Sequence, residues 1–291
     1  MDNQISESAP NKALFVAILT FIIPIIPTIY FIIVKKFEKT SLIMIGIGAL
    51  TFFISALILE RTIHILVFLI FPQLQNTIWP YYTYGAFMAG LFEETGRLIT
   101  FIILSKSQGN IKINNLNSIY YGIGHGGIEA ILIVSLTYFV YYIYCKRAIK
   151  NTLDQKTFEL LKNVFINLSR NSYSRMLYPV YERIIAVNYH ICASVIVWIG
   201  VMKNKIYLYF IAILLHFFTD FSIGVGIEFQ YYSKSISLLY IIVSDMTILT
   251  LILAIIFWIK YIDNESKEIN NNESLPLICE NNEIENKNTE G

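Results

Sequence analysis

One apolar segment of this sequence carries three ionisable side chains that could do chemistry. Glu93, Glu94 and Arg97 lie close together in a stretch, 82–104, that is otherwise mostly apolar. Ionisable groups in such a segment cost several kcal/mol each in a lipid environment, so each is a functional hypothesis by default. Glu93 and Arg97 are one helical turn apart and can form an ion pair, which leaves Glu94 for chemistry or for a second partner.

Three later apolar segments each combine a histidine with acidic or basic residues at helical spacing. The combinations are His125 with Glu129, Glu182 and Arg183 with His190, and His216 with Asp220. A carboxylate beside an imidazole in a pocket of low dielectric can hold a water molecule and take its proton. A second imidazole can stabilise the oxyanion that forms when this water attacks a carbonyl. These residue types therefore suit the hydrolysis of a peptide bond within a membrane or at its edge.

The same side chains could also hold a metal ion. The donors would be His125, His190 and His216 with Glu93 or Glu94, and a glutamate would serve as the base, as in zinc hydrolases. We expect a mechanism without a cofactor, and a divalent metal such as zinc is the alternative.

The composition of the chain is that of a membrane protein. Only 15% of its 291 residues are charged and its mean hydropathy is +0.56, whereas soluble domains have roughly 25% charged residues. The net charge of +1 gives no basic surface of the kind that nucleic-acid binding requires. We therefore expect a lipid bilayer as the surroundings and no nucleic acid as a partner.

Seven segments are long and apolar enough to cross a bilayer, since a span needs roughly 20 apolar residues. They are residues 13–34, 41–70, 82–104, 118–144, 176–200, 205–228 and 235–259. The sequence thus predicts an all-α, polytopic transmembrane helix bundle with a polar active site inside it, in one domain of residues 1–260. The mixed stretch 146–175 predicts an interfacial helix, and the Asn- and Glu-rich segment 261–291 predicts a disordered polar tail.

The rise of a helix predicts that the candidate residues lie at similar depth. With spans that alternate in direction, Glu93, His125, His190 and His216 lie about 16, 10, 15 and 16 Å from the same membrane face. Four helices can therefore bring their polar groups to one site.

Two further features are interpreted as structural. The glycines at 122, 124, 126 and 127 lie in a hydrophobic span without a preceding strand, so they indicate close helix packing and not a nucleotide loop. His64 comes late in the long second span, and we expect it to have a structural role.

In their order along the chain, these motifs resemble those of the YhfC-type family of intramembrane proteases. This family is related to the PrsW proteases and to the CAAX prenyl protease/bacteriocin-processing superfamily. The resemblance covers about residues 82–228 and rests on Glu93-Glu94-x-x-Arg97, Gly-x-Gly-His125-Gly-Gly-x-Glu129, Glu182-Arg183 with His190, and His216-x-x-x-Asp220. The HExxH, GxSG and GxGD motifs of other intramembrane proteases are absent from the sequence.

The resemblance implies a role for each of these residues. Glu93 or Glu94 would be the base that activates water, His216 the partner of the oxyanion or of the water, and Asp220 the residue that orients His216. His125, Glu129 and His190 would complete the polar pocket, with Arg97, Glu182 and Arg183 in support.

The sequence departs from the CAAX proteases, which look like EExxxR, FxxxH and HxxxN. This chain has one residue fewer before Arg97, and it has acids at Glu129 and Asp220. An ionised aspartate cannot donate a hydrogen bond as asparagine does. The extra carboxylates also make metal binding more plausible.

We therefore predict a glutamate-type intramembrane endopeptidase, a multi-pass protein of a bacterial plasma membrane that acts on a membrane-bound protein or peptide. A proton- or cation-coupled transporter or channel would use the same buried residues, and an inactive membrane scaffold or immunity protein would keep the fold without the chemistry.

Overall fold

The computed structural model describes residues 5–34, 39–107, 114–233 and 236–263, with the side chains of these residues except 227–243 and 263. This part of the chain is helical and contains no strand, which confirms the predicted all-α fold. The α-helices are α1 (Ala9–Ile22), α2 (Ile25–Val34), α3 (Lys39–Phe52), α4 (Arg61–Ile70), α5 (Ile78–Lys106), α6 (Asn117–Glu129), α7 (Leu136–Ile149), α8 (Gln155–Arg170), α9 (Tyr173–Met202), α10 (Tyr207–Ser233) and α11 (Ile236–Trp258).

Six segments of the described chain are long and apolar enough to cross a membrane. They are Ala9–Val34, Lys39–Ile70, Asn117–Ile149, Tyr173–Met202, Tyr207–Gly226 and Ser244–Ile262. Helix α5 has 29 residues, about 43 Å at 1.5 Å per residue, and packs against α9 and α10, but its three central charges lower its hydropathy. With α5 as the seventh crossing, the protein is a multi-pass integral membrane protein of about the predicted number of spans.

Two of the spans change from α-helix to π-helix in their middle. The first π segment, Phe53–Glu60, joins α3 to α4, and the second π segment, Ala130–Ser135, joins α6 to α7. π-Helical turns are rare and are frequently found at functional sites. Here one π segment ends at Glu60 and the other begins directly after Glu129.

Helix α6 lies between α3 and α9 at very short range. A Cβ atom added to Gly48 of α3 would lie 2.1 Å from the carbonyl oxygen of Tyr121, and one added to Gly124 of α6 would lie 1.9 Å from that of Ile45. On the other side of α6, a Cβ atom at Gly122 would lie 2.5 Å from Cα of α9 residue Ile191. The packing role predicted for these glycines of α6 is therefore seen in the structure, and it places α6 deep inside the bundle.

An aromatic layer closes the bundle next to the polar residues. Phe101 of α5 contacts Tyr121 and Trp198, with ring centroids 4.6 and 5.1 Å apart, and the indole of Trp198 donates to Asn115 Oδ1 at 3.1 Å. Phe101 lies one helical turn beyond Arg97, and Tyr121 lies one turn before His125. The layer thus ties α5, α6 and α9 together on one side of the site.

The stretch 146–175 contains α8, which packs against α1 and α7. Phe165 and Leu168 are buried, and Lys12 of α1 donates to the backbone carbonyls of Leu168 and Ser169 at 3.0 and 3.1 Å near the end of α8. The last helical turn runs to Asp263, and the remainder of the predicted tail, from residue 264, lies outside the described residues.

Candidate active site

Glu93 of α5 and His125 of α6 form the centre of the polar cluster. His125 Nε2 lies 2.9 Å from Glu93 Oε2, and the two side chains are almost completely buried. The rings of Phe52 and Tyr121 contact the imidazole, with centroids 5.3 and 5.9 Å away. His125 is therefore held by packing and by Glu93.

His190 of α9 lies between an arginine and a glutamate. Arg97 donates to His190 Nδ1 at 3.1 Å, so Nδ1 is the acceptor nitrogen, because a guanidinium group only donates. His190 Nε2 lies 2.6 Å from Glu129 Oε2. Because Nδ1 is the acceptor, Nε2 carries the ring proton and faces this carboxylate oxygen.

Arg97 pairs with Glu94 and not with Glu93, the partner that the i,i+4 spacing suggested. Both oxygens of Glu94 accept hydrogen bonds from Arg97 Nη1, and His216 Nδ1 lies 2.9 Å from Glu94 Oε1. The predicted Glu93–Arg97 pair is therefore wrong. The physical reason is the rotation of α5, which directs Glu93 to α6 and leaves Glu94 beside Arg97 and α10.

Asp220 lies farther from His216 than Glu94 does. The Asp220 Oδ2 to His216 Nε2 distance is 3.6 Å, and the aspartate side chain is 34% exposed. This separation exceeds a normal hydrogen bond. Glu94 therefore makes the contact that fixes His216, a role that the family resemblance implied for Asp220.

Arg183 of α9 holds the glutamate that precedes the second π segment. Its Nη1 donates to Glu129 Oε1 at 2.6 Å, and its other nitrogens donate to the neighbouring Glu182. Arg183 thus fixes one oxygen of Glu129 and leaves Oε2 directed at His190.

Three of the candidate residues could hold a metal ion together. Glu93, His125 and His190 each offer one ligand atom, and these atoms lie within 4.8 Å of one another. His216, which we expected among the ligands, is not part of this group, although its ring centroid is 5.6 Å from that of His190. Glu129 Oε2, 2.6 Å from His190 Nε2, is a further oxygen atom of the kind that divalent ions accept as a ligand.

Two cavities reach the cluster, and Glu93 and Glu129 border both of them. The small cavity, of about 40 Å³, is lined by polar residues of α9 and α10 that include Arg183, His190, His216 and Asp220. The larger cavity, of about 330 Å³, lies between the two π segments. Glu94 borders neither cavity.

The larger cavity contains a polar group that the sequence motifs did not single out. The hydroxyl oxygen of Tyr84 lies 2.9 Å from His64 Nδ1, and His64 Nε2 lies 3.0 Å from Glu60 Oε1. The signal in the sequence was a glutamate and a histidine at i,i+4 spacing inside an apolar span. The sequence predicts a structural role for His64, and Glu60 is not among its candidate residues.

Comparison with known proteins agrees with the motifs. The sequence model of the YhfC intramembrane metalloprotease family matches residues 19–246. The chain belongs to this family. The match includes every candidate residue from Glu60 to Asp220, and it confirms the family predicted from the ordered motifs.

A relative in the YhfC family has a comparable length. "Uncharacterized membrane protein YhfC" of Bacillus subtilis (strain 168) is 32% identical over 212 residues, which cover 68% of this chain and 77% of that protein. No solved structure matches the chain. The family's description supports an intramembrane protease in a membrane, and it is compatible with a divalent metal at the buried Glu93, His125 and His190.

Proposed function

We propose that this YhfC family member is an intramembrane endopeptidase that hydrolyses a peptide bond of a membrane-associated protein or peptide, using a water molecule activated by Glu93. One observation supports this assignment most. Glu93 borders both cavities and contacts His125, whereas Glu94 borders neither and is occupied by Arg97 and His216. Of these two adjacent glutamates, Glu93 is the one that water can reach.

Glu93 would move the proton during hydrolysis. Its carboxylate accepts a proton from water while the water oxygen bonds to the carbonyl carbon, and it returns the proton to the amide nitrogen when the carbon–nitrogen bond breaks. The contact between His125 and Glu93 Oε2 holds the carboxylate in one position, which is the kind of support that precise proton transfer requires.

His216 would stabilise the oxyanion. Glu94 holds Nδ1 of this ring, and Nε2 is on the side of Asp220 and the small cavity. When both ring nitrogens carry protons, Nδ1 donates to Glu94 and Nε2 is left to donate to the negatively charged oxygen. A donor fixed in advance in a site of low dielectric is the usual device for this purpose.

A divalent ion fits the residues present. One oxygen of Glu93 would hold it together with His125 and His190, and the other oxygen of Glu93 would remain to accept the proton from water. The family's description favours such an ion over the mechanism without a metal that the sequence suggested. When bound, the ion would polarise the peptide carbonyl and make water more acidic. Arg97 already donates to His190 Nδ1, so this hydrogen bond would have to be released if that nitrogen were a ligand.

The decisive experiment uses the purified full-length protein in liposomes with a randomised library of membrane-spanning peptides. Mass spectrometry identifies the cleaved bonds. We expect Glu93→Gln to lower the cleavage rate about 10²–10⁴-fold, the usual contribution of a general base. The proposal fails if no peptide is cleaved in a Glu93-dependent way, and flux driven by a pH gradient without cleavage would instead identify a transporter.

Metal content is a separate readout that does not depend on cleavage. We expect about one divalent ion per chain in the purified protein, by elemental mass spectrometry, and a loss of this ion in His125→Ala and His190→Ala. Retention of the ion in both variants would exclude this ligand set, and a metal-free protein that cleaves peptides would support the mechanism without a metal.

A further inference from the structure

The larger cavity has the size and position of a binding site for part of a peptide. Its volume is about 330 Å³, whereas the small cavity on the other side of Glu93 has about 40 Å³. The small cavity has room for water only, whereas the larger cavity can take side chains and backbone of a substrate.

The walls of the larger cavity come from both π segments. The first π segment contributes Ala56, Leu57 and Glu60, and the second contributes Ile133, while Glu93 and Glu129 lie at the inner end. A π segment widens the helix locally and changes which side chains face inward. Glu60, the last residue of the first π segment, borders this cavity together with Glu93.

The cavity extends from Glu93 toward the end of α5 that follows the 71–77 connection, because Tyr81 near the start of α5 borders it. Tyr81 is 42% exposed. Glu60 lies ten residues before the end of α4, about 15 Å along the helix from this end, and Glu93 lies about 22 Å from the start of α5. A substrate that enters from this end therefore passes Glu60 before it reaches Glu93.

The carboxylate of Glu60 is held in position by a hydrogen bond to only one of its two oxygens. Tyr84 and His64 form a hydrogen-bonded chain that ends on Glu60 Oε1. If the tyrosine hydroxyl donates to His64 Nδ1, then Nε2 carries the proton and donates to the carboxylate. Glu60 is 8% exposed, and no ion pair with an arginine or lysine is formed by it within the described residues, the neighbouring Arg61 included.

We propose that this cavity receives the substrate chain beside the scissile bond and that Glu60 binds a lysine or arginine side chain of the substrate. This inference rests on the proposed protease function and adds a substrate class to it. A buried carboxylate with one free oxygen is complementary to an ammonium or guanidinium group, which gains a charge-assisted hydrogen bond there. Apolar residues on the same walls cover the aliphatic part of such a side chain.

The test uses the same peptide library with wild-type protein and with Glu60→Gln. This substitution keeps a hydrogen-bond acceptor for His64 and removes the charge. We expect wild-type protein to cleave peptides enriched in Lys or Arg at one position within two residues of the cut. For a single peptide with Lys at that position, Glu60→Gln should lower kcat/KM about tenfold, mainly through KM, since loss of a charge-assisted contact costs about 1.4 kcal/mol or more. A matched peptide with Gln there should be cleaved equally by both proteins.

Arg61→Gln is the matched control, because Arg61 borders the same cavity and is exposed. It should keep the preference for Lys and Arg. An equal loss of kcat/KM for the Lys and Gln peptides in Glu60→Gln would show a structural role for Glu60 and overturn the inference, as would the absence of a basic preference in wild-type cleavage. Glu93-dependent cleavage would persist in these cases, so the protease function would stand. If nothing is cleaved, both proposals fail.

Discussion

Substitution of Gly48 by alanine tests the close approach of α3 and α6 on which the site depends. A Cβ atom at Gly48 would lie 2.1 Å from the carbonyl oxygen of Tyr121, and ordinary contacts begin at 3.4 Å. In a close-packed interior, the two helices must therefore separate by about 1.3 Å at this point. We expect a loss of about 1–3 kcal/mol in the free energy of unfolding, as for other overpacked cores.

The separation should also disturb the chemistry, because His125 lies one helical turn after Tyr121. Its Nε2 is 2.9 Å from Glu93 Oε2, so a shift of about 1.3 Å would take the contact beyond the hydrogen-bond range of about 3.2 Å. A misplacement of about 1 Å can lower a catalytic rate about 10²-fold. Peptide cleavage should fall by this amount even under conditions in which the variant remains folded.

Gly46→Ala is the matched control, since Gly46 lies on the same helix and an added Cβ atom would have nothing within 4 Å. Alanine is the better helix former by about 1 kcal/mol, so this variant should be at least as stable as wild type and fully active. Unfolding in mixed detergent, monitored by circular dichroism, compares the free energies of unfolding of wild type and the two variants. If Gly46→Ala and Gly48→Ala have the same stability and the same activity, the α3–α6 packing described here is incorrect.

Three other expectations concern separate parts of the molecule. Glu94→Gln leaves Arg97 buried without its carboxylate, so this variant should lower the free energy of unfolding in detergent by about 3–5 kcal/mol. Glu93→Gln breaks no arginine pair and should not cause this loss. Equal losses in the two variants would contradict the pairing of Arg97 with Glu94. In a background without native cysteines, Leu57→Cys in the larger cavity should react with a charged, membrane-impermeant thiol reagent added from the side of the 71–77 connection. Leu59→Cys, on the exposed, lipid-facing side of the helix, should not react. The reverse pattern would place the cavity elsewhere. At the start of α8, the hydrogen bond from a backbone N–H at 2.9 Å lowers the pKa of Asp154 below its usual value, so this cap contributes at neutral pH and is lost as the pH falls below about 4. Amide exchange in the first turn of α8 should then increase in wild type but not in Asp154→Asn, and equal profiles would exclude the cap.

The sequence was sufficient to predict the all-α fold and the family, but it could not decide the partners of adjacent glutamates. Glu93 at i,i+4 and Glu94 at i,i+3 from Arg97 are both within reach on a helix. The choice depends on the rotation of α5 against α6 and α10, which is a tertiary property. The same limit applies to His216, whose near partner Glu94 lies on another helix, although Asp220 is its neighbour in sequence.

Glu60 was missed for a different reason. A regular helix drawn through residues 41–70 gives no cause to direct this side chain toward Glu93. The π segment that ends at Glu60 adds room to each turn and shifts the inward face, and no residue type in Phe53–Glu60 signals such a segment. The pairing of Glu60 with His64 at i,i+4 was visible in the sequence, whereas its position beside the catalytic candidates required the structure.

The distribution of arginines indicates which glutamate is available for chemistry. Around His190, Glu94 is paired with Arg97 and Glu129 with Arg183, whereas Glu93 has no arginine partner within the described residues. Arginine does not give up its proton in proteins, so a carboxylate paired with it is stabilised in its charged form and has little tendency to take a proton. A carboxylate paired with an imidazole can share one. We therefore propose that Glu94 and Glu129 act as fixed charges held by their arginines, and that proton transfer is left to Glu93, which borders both cavities and contacts His125.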